Sequence, residues 1–68
     1  MKALTGKEML KLLKKYGWVV GRIHGSHYIH TKPDREEVIS VPVHGNRTLK
    51  LGMQREILKV AGIDMSEH

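Results

Sequence analysis

Arg22-Ile23-His24-Gly25-Ser26-His27-Tyr28-Ile29-His30-Thr31 reads as two strand-like runs folded about Gly25-Ser26, a turn signal. His27 stands immediately after that turn, at the mouth of the second run, held by backbone on one side and solvated on the other. An ordinary imidazole, with a pKa of about 6.5, takes or gives a proton near neutral pH. The plainer reading of the same stretch is a surface hairpin that merely contains histidines.

Working outward, Trp18-Val19-Val20-Gly21-Arg22-Ile23 has the β-branched and aromatic content of a strand, and Tyr28-Ile29-His30-Thr31 returns antiparallel to it. Pro33-Asp34 makes a second turn. Val38-Ile39-Ser40-Val41-Pro42-Val43 is a third strand with Ile39, Val41 and Val43 on one face by the period of two. Pro42 has no N–H to donate, which places this strand at an edge or at a bulge.

Two helices flank the strands. Thr5-Gly6-Lys7-Glu8 is a capping box with Leu4 as its staple residue. Beyond it Met9, Leu10, Leu12, Leu13 and Tyr16 share one side of the wheel, with Lys7, Lys11, Lys14 and Lys15 on the other. Gly17 ends this helix in a left-handed position. The polar stretch His44-Gly45-Asn46-Arg47-Thr48 leads to a second helix of about eleven residues, ending at Ala61 before Gly62. Its apolar side is Met53, Ile57, Leu58, Val60 and Ala61, and Arg55, Glu56 and Lys59 face water. The order is helix, three antiparallel strands, helix. A sheet this small buries one face only, so the expected fold class is α+β, with both helices on one face and the other open. A single domain over residues 1–68 accommodates it without repeat, low-complexity segment or linker.

At 68 residues the chain can bury only about 60% of the surface it exposes when unfolded, which leaves no room for a large enclosed site. Cysteine is absent, removing disulfides and thiolate chemistry together. No run is apolar enough to span a bilayer, and Met1 to Thr5 lack the apolar core of a signal peptide, so a soluble cytoplasmic protein is expected. Twelve Lys and Arg against seven Asp and Glu give a net charge of +5, which calls for a polyanion or an acidic protein as partner. With no Phe and only Trp18, Tyr16 and Tyr28 as aromatics, the rings are too few for a ladder on which single-stranded bases would stack, and a platform-type RNA reader is not expected.

The five histidines raise the question of a metal. On a strand His27 and His30 point to opposite faces, and no neighbouring carboxylate completes a ligand set, so no metal site is assigned. His44 belongs to the loop after the third strand, where it either orders the turn as a hydrogen-bond donor or is presented at one end of the sheet. His30 is expected half-buried on the sheet, and His68 is terminal. No phosphate-binding glycine loop, Gly-x-Ser-x-Gly elbow or His-Glu-x-x-His pair occurs. A basic surface beside an exposed histidine suits metal-free cleavage of RNA. A base withdraws the 2′-hydroxyl proton, and cations stabilise the charge developing on the attacked phosphate. A noncatalytic RNA-binding or acidic-protein-binding module fits the same charge and fold.

Gly25-Ser26-His27, Val41-Pro42-Val43-His44-Gly45-Asn46 and Ile57-Leu58-Lys59-Val60-Ala61-Gly62-Ile63, in this order and spacing, resemble the HicA toxins, also called YcfA-like mRNA interferases. The likeness runs from Thr5 through Ile63. It implies a double-stranded-RNA-binding-like fold, endoribonuclease activity against mRNA without a cofactor, and neutralisation by a HicB-type antitoxin. It also implies that His27, the histidine of Gly-Ser-His, is catalytic. Lys7, Lys11 and Lys14 on the first helix, with Arg22, His24 and Tyr28 near His27, are the candidate RNA contacts. Two positions depart from the family pattern: Met53, where a small polar residue is commoner, and His24, where a basic or polar one is usual.

Overall fold

The computed structural model describes residues 2–64, so His68 lies outside the described residues. Helix α1 spans Gly6–Lys15. Its capping box closes as the sequence predicts: Thr5 Oγ1 accepts the Glu8 N–H at 3.1 Å and Glu8 Oε1 accepts the Thr5 N–H at 2.8 Å. Two otherwise orphaned donors at the helix start are satisfied in this way. Gly17, at φ +92°, turns the chain out of the helix and into the sheet.

Strands β1 (Val19–His24), β2 (His27–Thr31) and β3 (Ile39–Pro42) form an antiparallel sheet in the order β1-β2-β3. Pro42 is thereby on an edge strand, as its missing donor requires. Helix α2 (Leu51–Ala61) closes the order and ends at Gly62, φ +75°. Both helices pack against β3. Met9 and Leu13 of α1, Ile39 and Val41 of β3, and Ile57, Leu58 and Ala61 of α2 surround Trp18 in one core. Ser40, between the two buried β3 residues, is exposed, so the sheet has one covered and one open face. The predicted α-β-β-β-α arrangement with both helices on one side is the observed one.

Two details of packing differ from the sequence reading. His30 is 1% exposed, buried outright rather than half-buried. Met53, assigned to the apolar side of α2, is 43% exposed, and Gln54 is fully buried in its place. The amide of Gln54 is what makes this tolerable: its Oε1 accepts the Leu4 N–H at 2.6 Å and its Nε2 donates to the Lys2 carbonyl at 2.7 Å. A buried polar group with both ends paired ties the amino-terminal segment to α2. The same segment bridges Thr5 to Thr48, and Leu49 donates to the Leu4 carbonyl at 2.7 Å. The loop after β3 is thus held close to the start of α1.

Strand β1 is exposed along its whole length, with Val19 at 53%, Val20 at 45% and Ile23 at 54%. Within the sheet it pairs only with β2. Arg35 fastens the connection between β2 and β3 at the opposite end, donating to the Val60 carbonyl at 2.7 Å and lying 5.6 Å over the Trp18 ring.

Candidate active site

The β1–β2 hairpin turns through Gly25 and Ser26. Gly25 takes φ +58°, which glycine adopts without a Cβ penalty and which suits the first position of a two-residue II′ turn. His24 and His27 become Cα partners across it. A bulge then shifts the register between Val20 and Arg22. Val20 pairs with buried His30, yet Arg22 pairs with Ile29 and His24 with His27. Since directly paired residues share a face, the two-residue turn places Arg22, His24 and His27 together on the open face, and the bulge beyond them puts Val20 on the opposite face, with His30. His27 and His30, three apart on one strand, go to opposite faces: the first is exposed and the second buried.

β3 joins the same end of the sheet. His27 pairs with Pro42, and the Val43 N–H donates to the Ser26 carbonyl at 2.8 Å, extending the ladder past β3 into the hairpin turn. His44 follows, and its Nε2 lies 3.5 Å from Ser26 Oγ, a long contact. The structure thus places His44 at the hairpin end of the sheet. His27, Pro42, His44, Arg47, Thr48, Lys50 and Met53 line a cleft of about 560 Å³. Two cations and two imidazoles therefore face one concavity. Lys50 is the residue preceding α2, and no side chain caps the α2 start. The partial positive charge of that helix terminus adds to the field of Arg47 and Lys50.

The sequence-predicted contacts divide into groups. Arg22 and His24 flank His27 on the open face, with Arg22 Nη1 3.4 Å from His24 Nε2. A guanidinium only donates, so this contact makes His24 Nε2 an acceptor. Tyr28 pairs with buried Val41 and belongs to the helix-covered face, away from His27. Lys7, Lys11 and Lys14 are exposed on α1. Lys11 and Lys14 border a second cleft of about 360 Å³ between α1 and the sheet, walled by Leu10, Trp18, Val20 and His30. His44, Arg47 and Lys50 were not among the predicted site residues. A signal for His44 existed: counting by two from Pro42 puts it on the face of His27. Arg47 and Lys50 reach the cleft through an irregular loop, which has no period to count.

Among the described residues no group of three or more His, Cys, Asp and Glu could hold a metal ion, and no helix is long and apolar enough to cross a membrane. No curated protein matches the chain. The family model described as HicA toxin of bacterial toxin-antitoxin matches residues 6–63. A helix–hairpin–strand–helix chain matched over nearly its whole length, with Gly-Ser-His at the hairpin turn, belongs to the HicA toxin family and is a toxin of a bacterial toxin–antitoxin system.

Proposed function

We propose that this toxin is a metal-independent endoribonuclease that cleaves mRNA in the cytoplasm and is neutralised by a HicB-type antitoxin. The observation that carries this is the placement of His27: an exposed imidazole at the rim of a cleft whose other walls bear Arg47 and Lys50. His27 withdraws the proton of a 2′-hydroxyl, and the oxygen attacks the adjacent phosphorus. Arg47 and Lys50, with Arg22 on the open face, stabilise the extra charge on the phosphoryl oxygens. No cofactor is required by this chemistry, and DNA, lacking the 2′-hydroxyl, is spared.

Incubation of the purified chain with single-stranded RNA in EDTA is expected to give fragments ending in a 2′,3′-cyclic phosphate. His27→Ala is expected to abolish the cutting and leave the circular dichroism spectrum native. A folded His27→Ala protein that still cuts would remove His27 from the mechanism, and a wild-type chain that binds RNA without cutting it would make this a binding module instead.

A further inference from the structure

Cleavage by 2′-hydroxyl attack needs two proton transfers, one from the nucleophile and one to the departing 5′-oxygen. Resting on the cleavage reading above, the geometry points to His44 as the group that makes the second transfer. It is the other imidazole in the wall of the His27 cleft. The bond from Val43 N–H to the Ser26 carbonyl fixes the backbone just before it. Ser26 Oγ, 3.5 Å from its Nε2, is an acceptor for one of the two N–H groups of an imidazolium, leaving the Nδ1–H for the leaving group.

The other candidates are less suited. His24 Nε2 faces the Arg22 guanidinium, which can only donate. Tyr28 is on the covered face of the sheet. Arg47 carries a guanidinium, which stabilises charge instead of delivering a proton. In the complete step His27 takes the 2′-hydroxyl proton, the 2′-oxygen bonds to phosphorus, the bond from phosphorus to the 5′-oxygen breaks, and His44 gives its proton to that oxygen. The products are a 2′,3′-cyclic phosphate and a 5′-hydroxyl. His27 is left protonated and His44 neutral, and exchange with water resets both.

The test is a pair of RNA substrates, one ordinary and one with the scissile 5′-oxygen replaced by sulfur, which leaves as a thiolate without being protonated. His44→Ala, and His44→Gln, which keeps a donor for Ser26 Oγ but cannot deliver a proton, are each expected to slow cleavage of ordinary RNA by about 10²–10⁴-fold. Both variants should cut the sulfur-linked substrate at close to the wild-type rate, and His27→Ala should cut neither. The wild-type pH–rate profile should be bell-shaped, and the His44 variants should lose its alkaline fall. Wild-type rates on ordinary RNA from folded His44 variants would overturn the assignment and leave the nuclease reading intact. So would failure of those variants on both substrates, or sulfur rescue of His27→Ala instead. A wild-type chain that leaves both substrates whole would overturn the nuclease reading and this inference with it.

Discussion

His30 illustrates how a single residue trades solubility for packing. Its Nδ1–H donates to the Tyr28 carbonyl at 3.0 Å, while Nε2 is buried with no partner. Burial pushes the imidazole pKa below its ordinary value, and backbone contacts with Tyr28 and Ile39 oppose this only in part. The folded protein therefore holds His30 neutral at a pH where the unfolded chain would already protonate it. Stability from this source is complete above about pH 6.5, the ordinary imidazole value. It declines as pH falls from there through the lower folded-state pKa, because the unfolded state then binds more protons. His30→Leu is expected to flatten the acid side of a plot of melting temperature against pH relative to wild type. Parallel plots for the two proteins would rule His30 out as a source of acid sensitivity. Activity is a separate matter, since His27, three residues away, is on the opposite face.

At the scale of elements, the start of α1 and the end of β3 are in closer contact than any side-chain pattern suggests. A Cβ added to Gly6 would come within 2.5 Å of the Pro42 carbonyl oxygen and 2.9 Å of Val43 Cα. Both obstacles are backbone, so neither can rotate aside. Gly6→Ala must push α1 away from the segment that leads from β3 to His44. A destabilisation of about 1–3 kcal/mol is expected, as for other overpacked sites, lowering the melting temperature by roughly 4–8 °C per kcal/mol in a domain of this size. RNA cleavage should fall more than the fraction unfolded accounts for, because the displaced segment carries one wall of the cleft. A melting curve indistinguishable from wild type would show that helix and strand do not meet this tightly in solution. The β1 bulge acts at the same scale: without it, Val20, Arg22 and His24 would share one face by the period of two.

For the whole molecule the relevant quantity is where the +5 charge is displayed. Arg47 and Lys50 stand in the His27 cleft, Arg22 on the open face, and Lys11 and Lys14 beside the second cleft on the helix side. RNA affinity is expected to fall as salt rises, with a slope of about 0.7 in log–log terms for each phosphate neutralised on a single strand. Arg47→Ala and Lys50→Ala should each reduce that slope by about this amount. Lys11→Ala and Lys14→Ala report whether the strand also follows α1, the surface that the lysine spacing alone would favour. Binding that is indifferent to salt would remove the electrostatic account of RNA recognition.

What the sequence determined by itself was local. The capping box, the 3.6-residue and two-residue periods, and the glycines at 17, 25 and 62 specify two helices and three strands because each signal acts within a few residues of its neighbours. The exposure of His27 was legible in the same way, from the adjacent turn. Only the tertiary structure decided what comes from afar. The bulge put Val20 on the helix-covered face with His30, while Arg22 and His24 kept the face of His27. The bond from Val43 to Ser26 brought His44 to the hairpin, and Gln54 rather than Met53 went inward because Lys2 and Leu4 supplied its partners. Register and loop closure depend on contacts between segments up to 52 residues apart, and no local period encodes them.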